Sequence, residues 1–210
     1  MVGRIIHSHA CLDEGAAWLA GAEPRFAQVR GLLTQGLPLR RKADGFAALL
    51  DAIVSQQVSV ASAAAVWRKM DAAALTEPAA LLAASDDDLR AAGLSRQKAR
   101  YARALAGSGI DFNALRDMPD AQVIDLLVAL PGIGRWTAEI YAMFALGRAD
   151  VFAPGDLALQ EAARLLFDLP ARPSEKAMRA MAEDWSPWRA VAANLLWAYY
   201  HVVKEREGAR

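Results

Sequence analysis

A four-residue turn between two helical repeats does most to limit what this chain can become. Pro131-Gly132-Ile133-Gly134 separates a segment in which Val123, Leu126, Leu127 and Leu130 fall on one helix face from one in which Ile140, Met143 and Phe144 continue the period. Glycines at 132 and 134 allow φ > 0 and leave no Cβ above the backbone. The helix after the turn then opens on N–H groups with no partner inside the helix, which suits an anion such as a phosphate diester. Helical patterns recur through most of the chain, so an all-α fold is expected.

With 210 residues, 55% of them hydrophobic, the chain can bury a core as one unit or as two small lobes. Its single cysteine, Cys11, excludes a disulfide framework and a four-cysteine iron–sulfur cluster, and fits a reducing, intracellular compartment. No basic segment followed by a long apolar run opens the chain, and no run of roughly 18 apolar residues occurs, so neither a signal peptide nor a membrane span is expected.

Taken in order, residues up to Cys11 read as extended, with His7, His9 and Cys11 alternating as incidental side chains of a surface segment. Asp13 is expected to cap a short helix, and Glu23 to Leu33 forms another. Arg40-Arg41-Lys42 is either a solvated linker or a phosphate contact. From Asp44 a long helix buries Phe46, Leu49, Leu50, Ile53 and Val54, and leads through Ser55-Gln56-Gln57-Val58-Ser59 into a second helix containing Trp67 and Met70. Ser85 and Ser95 are expected helix N-caps, the latter opening a basic helix with Arg96, Lys98, Arg100 and Arg103. Asp156, after Pro154-Gly155 and before an apolar helix, is by itself a helix N-cap.

The string Leu-Pro-Gly-Ile-Gly-Arg-Trp-Thr-Ala from Leu130 resembles the helix-hairpin-helix of the DNA base-excision glycosylases. Val151-Phe-Ala-Pro-Gly-Asp156 resembles that superfamily's loop carrying the catalytic aspartate. Within the superfamily the nearest likeness is to the 3-methyladenine DNA glycosylase II branch, over roughly Phe46 to Tyr199; Ile-Val-Ser-Gln-Gln-Val-Ser-Val resembles a signature of the alkyl-base members.

The resemblance implies two helical lobes around a central DNA-binding cleft, one at about residues 45–148 and the other at 1–44 with 149–210. Asp156 is then the catalytic residue, an anion favoured by the helix N-terminus and placed to stabilise positive charge developing on deoxyribose. Trp136, Trp197 and Gln56 line the base pocket, with Tyr141 and Phe144 as further candidates. Gln57 intercalates where the nucleotide has been flipped out. Leu130, Gly132, Ile133, Gly134 and Thr137 form the phosphate-binding hairpin. Electron-rich indoles suit a base made cationic by alkylation, through cation–π stacking worth roughly 0.5–2 kcal/mol. Trp185 and Trp188 are expected to be structural. In lyase-competent relatives a lysine that forms a Schiff base occupies the place of Trp136, so a monofunctional enzyme is expected.

The implied partner is double-stranded DNA containing damaged bases, bound by a monomer, with 3-methyladenine and 7-methylguanine as the bases removed. Equal numbers of basic and acidic residues, 24 each, argue for modest non-specific affinity rather than wide electrostatic wrapping. No organic cofactor is expected, although the family can hold a monovalent cation between hairpin carbonyls and a phosphate. About 44 residues precede the long helix, too few for the mixed α/β domain of the best-known bacterial members. Two other readings stay open: a glycosylase for deaminated or etheno-modified bases, and a non-catalytic DNA-lesion binding module, which would have no need of Asp156.

Overall fold

The computed structural model describes residues 2–208, with side chains described as far as residue 205. Twelve α-helices follow one another among them. They are α1 (His9–Ala22), α2 (Pro24–Leu32), α3 (Phe46–Ser55), α4 (Val60–Ala72), α5 (Pro78–Ala83) and α6 (Asp86–Ala91), then α7 (Arg96–Ala106), α8 (Asp120–Val128), α9 (Arg135–Phe144), α10 (Leu157–Leu166), α11 (Glu175–Met181) and α12 (Arg189–Gly208). Short 3₁₀ turns occupy Ala114–Arg116 and Ala182–Trp185. Among the described residues the only extended pairing is one antiparallel bridge, Ile5 with Arg148. No helix among them is long and apolar enough to cross a membrane.

The chain divides into two compact units, Lys42–Tyr141 and Val2–Arg41 with the chain from Ala142 onward. These boundaries fall a few residues before the expected 45 and 148. The end of α9 and the residues after it join the N-terminal segment: Ile6 N–H donates to the Gly147 carbonyl at 2.7 Å and Ala149 N–H to that of Arg4 at 3.0 Å.

In the first unit, α3 buries Phe46, Leu49, Leu50, Ile53 and Val54, as its period requires. It begins later than expected. Gly45, at φ +106°, precedes it and donates its N–H to the Tyr141 hydroxyl at 2.9 Å. Asp44 is instead a bidentate partner of Arg116, at 2.6 and 2.8 Å. Ser85 and Ser95 cap α6 and α7 through bonds from the Asp88 and Lys98 amides. On α8 the buried face is Val123, Ile124 and Leu127, whereas Leu126 is exposed, so the apolar stripe sits one position from where its spacing suggested.

The second unit is built on an aromatic cluster. Trp185 meets Phe26 and Phe152 edge-on and stacks on Phe167, with ring centroids 5.4–6.0 Å apart. Every residue from Ala190 to Leu196 on α12 is buried. Gly15 lets α1 approach closely, since a Cβ there would lie 2.7 Å from the Trp188 ring. Trp185 and Trp188 are both buried, as structural residues should be. α1 starts at His9 with Ser8 as its cap residue, so Cys11 is helical rather than extended and Asp13 caps nothing. The apolar positions Leu12, Ala16 and Leu19 draw the first turn into the core and override that reading.

Candidate active site

The loop between α9 and α10 is pinned at both ends. Asp150 accepts from the Ser186 hydroxyl at 2.8 Å and pairs with Arg189 at 3.3 Å. Phe152 is buried against Trp185, and the buried Gln160 amide donates to the Pro154 carbonyl at 2.8 Å. The chain therefore reaches Asp156 with little freedom, in the second unit.

Asp156 is the N-cap of α10. Its Oδ1 accepts the Ala158 and Leu159 amides, each at 3.0 Å, satisfying two N–H groups the helix itself cannot. A third donor arrives from α12: the Trp197 indole N–H, 3.2 Å from the same oxygen. Three donors on one oxygen fix the carboxylate plane at the N-terminus of α10. Asp156 is half-buried and the next residue, Leu157, is 65% exposed, so the carboxylate stands at the edge of the packed core.

Trp197 is only 9% exposed. The Phe144 ring tilts against it with centroids 5.6 Å apart, and the Arg40 guanidinium lies over it at 5.6 Å. Its polar edge serves Asp156, a role that the 41-residue separation hides from sequence reasoning. Of the neighbouring cations, Arg41 donates to the Phe144 carbonyl at the end of α9, at 3.2 Å.

The hairpin lies in the first unit. Gly132 adopts φ +88°, and a Cβ on it would lie 2.4 Å from the Tyr101 ring, so glycine is required there twice over. Gly134 does not take positive φ and has open space around it. Its value is different: without a side chain it leaves the entry to α9 approachable. Leu130 accepts from the Ile133 amide at 3.1 Å, closing the turn, and Ile133 is buried as its anchor. The first bond of the following helix runs from Ala138 N–H to the Gly134 carbonyl at 3.0 Å. Gly134, Arg135 and Trp136 are exposed, Trp136 at 48%, and Thr137 is half-buried behind them.

Gln56 joins this hairpin, its side-chain amide donating to the Gly132 carbonyl at 2.8 Å. Gln57 projects next to it, exposed and at φ +56°. Holding a non-glycine residue there costs about 1–2 kcal/mol. Val58 and Val60 are also exposed, so the tip carries apolar surface beside its glutamine, and Ser59 caps α4. Lys98 supports the tip from α7. Its ammonium donates to the Val54 carbonyl at 2.7 Å, and burial lowers its pKa. Lys98 and Tyr101 share one face of α7 at i, i+3 and so serve the tip and the hairpin together, a role the basic pattern of that helix conceals.

Cys11 Sγ lies 3.6 Å from His7 Nδ1, but among the described residues no three His, Cys, Asp or Glu side chains are placed to share a metal.

The family model for HhH-GPD superfamily base excision DNA repair proteins matches residues 50–187. The chain is 30% identical to DNA-3-methyladenine glycosylase 2 of Escherichia coli over 181 residues, 80% of this chain and 62% of that one. It spans 40% of the length of a Bacillus subtilis relative with which it shares 34% identity. The crystal structure of a DNA-3-methyladenine glycosidase from Bacillus halodurans matches with a TM-score of 0.82 and 31% identity, covering 97% of this chain and 95% of that one. A 3-methyladenine DNA glycosylase of Schizosaccharomyces pombe, solved in complex with abasic DNA, matches with a TM-score of 0.73 and 25% identity, covering 88% and 95% of the two chains.

Proposed function

The chain belongs to the HhH-GPD superfamily of base excision DNA repair proteins, and on that footing we propose that it is a monofunctional glycosylase removing alkylated purines from duplex DNA. The observation that carries this reading is Asp156, anchored as an N-cap and locked by the Trp197 indole.

A purine methylated at N3 or N7 carries a positive charge and leaves readily. The C1′–N9 bond breaks, its electron pair departs with the now neutral base, and positive charge develops on the sugar. Asp156 faces that charge as a pre-oriented anion, an arrangement that needs no reorganisation during the reaction. A water oxygen bonds to C1′ and loses a proton, leaving an abasic site.

The opening turn of α9 supplies amides for a backbone phosphate, with Gly134 giving close access. Gln57 fills the space of the flipped nucleotide, helped by the apolar surface of Val58. Trp136 offers its exposed indole to the cationic base. Gln56, tied to Gly132, couples the inserting turn to the phosphate-binding one. The names of the E. coli, B. halodurans and S. pombe proteins support 3-methyladenine as a substrate.

The monofunctional assignment rests on the lysines. None occurs between Lys98 and Lys176, so neither the hairpin nor the Asp156 loop offers an amine for a Schiff base. Lys98 itself is committed to the Val54 carbonyl.

The test is incubation with methylated duplex DNA and identification of the freed bases by mass. Release of 3-methyladenine and 7-methylguanine is expected. Release of only hypoxanthine or ethenoadenine from matched substrates would overturn the substrate class, and no release from any would overturn the enzyme.

A further inference from the structure

Arg40 lies outside every motif, in the segment between α2 and α3, yet its surroundings are specific. Its guanidinium carbon sits 5.6 Å from the centre of the Trp197 ring. Its Nε is buried and, among the described residues, makes no hydrogen bond. Burial also lowers its pKa, so the charge is kept in place at a cost. On α12, one turn before Trp197, Asn194 is 4% exposed and its Oδ1 is likewise buried without a hydrogen bond. Both residues line one small cavity of about 10 Å³, walled by Ile6, Leu12, Met143 and Phe144. That is room for roughly one water molecule, and the two residues that carry an orphaned donor and an orphaned acceptor both stand on its wall.

We propose that Arg40 is a positioning residue for Asp156. Its guanidinium, laid over the Trp197 indole and tethered through one buried water to Asn194 Oδ1, holds the indole where its N–H meets the carboxylate. The water accepts from Arg40 Nε–H and donates to Asn194 Oδ1, so both orphaned atoms are satisfied at once. Arg40 lies over the ring and Phe144 packs against the same ring, which leaves the indole little freedom to rotate away from Asp156. A cation over the π face also draws electron density from the ring and makes its N–H a stronger donor. Lysine would supply the charge but neither the planar guanidinium nor the Nε–H.

The proposal rests on the role given to Asp156, so its test has one arm that needs no catalysis. Single-turnover excision at saturating enzyme and affinity for abasic-analogue DNA are measured for wild type, Arg40→Met, Arg40→Lys and Asn194→Leu. In parallel, the Trp197 indole N–H is followed by ¹⁵N-tryptophan spectra, assigned with Trp197→Phe. Arg40→Met should slow excision roughly tenfold or more, with affinity within about twofold, and should move the Trp197 signal and speed its exchange. Arg40→Lys should recover only part of the rate, and Asn194→Leu should move the same signal by less. A phosphate-contact role would instead weaken DNA binding and reduce its salt slope by about one, with excision at saturation and the Trp197 signal unchanged; that result overturns the proposal. If wild type releases no base, the signal still decides: unmoved in Arg40→Met it refutes positioning, moved it upholds positioning while the glycosylase reading alone falls. If Arg40→Met does not fold, Arg40→Lys and Asn194→Leu report on the same signal.

Discussion

Trp197→Phe separates the hydrogen bond to Asp156 from the carboxylate itself. The substitution keeps a ring beside Phe144 and removes the N–H that lies 3.2 Å from Oδ1. A hydrogen bond to a charged group is worth about 1.5–3 kcal/mol, and this one is the longest of the three on that oxygen, so the lower figure applies. At about 1.4 kcal/mol per factor of ten, full expression of the loss in the transition state slows excision roughly tenfold. The two amide bonds at 3.0 Å remain, so the carboxylate keeps its place on α10 and the variant stays well above one lacking the charge. Shrinking a ring that is only 9% exposed should also cost about 1–3 kcal/mol of folding stability. Denaturant unfolding and abasic-analogue binding must therefore accompany the single-turnover rate. A folded variant that excises within about twofold of wild type would refute the orienting role of the indole.

The two hairpin glycines should respond differently. Gly132→Ala faces both φ +88° and a Cβ 2.4 Å from Tyr101, and should lose about 1–3 kcal/mol of stability by denaturant titration together with DNA affinity. Gly134→Ala meets nothing within 4 Å and should keep its stability within about 0.5 kcal/mol while DNA affinity drops in a filter or anisotropy assay; unchanged affinity would remove Gly134 from the phosphate contact. Borohydride added during turnover should trap no covalent protein–DNA complex, and a trapped band would identify a lysine beyond the motif as a nucleophile.

Local features were legible in the amino-acid order where one segment decides its own environment. The buried face of α3, the Ser85 and Ser95 caps and the capping position of Asp156 follow from spacing and side-chain chemistry over a few residues. Where two overlapping stripes compete, as with Ile124 and Leu126 on α8, the packing partner chose and the period alone misled. The Gly-x-Gly spacing suggests one backbone role for Gly132 and Gly134, but only Gly132, seated on Tyr101, takes positive φ. Trp197 is legible in the sequence as a candidate aromatic but not as a donor to Asp156, and Arg40 only as one of three adjacent cations. Both roles come from tertiary contact across long separations, which no local pattern encodes.

The most direct test of the account compares wild type with Asp156→Asn on methylated duplex DNA, reading free base by mass and affinity for abasic-analogue DNA side by side. The amide is nearly isosteric and its oxygen can still cap α10, so the fold should persist while the charge is gone. Methylpurine release should fall by a factor of about 10² or more, with abasic-site affinity largely kept. Equal release by the two proteins would contradict it.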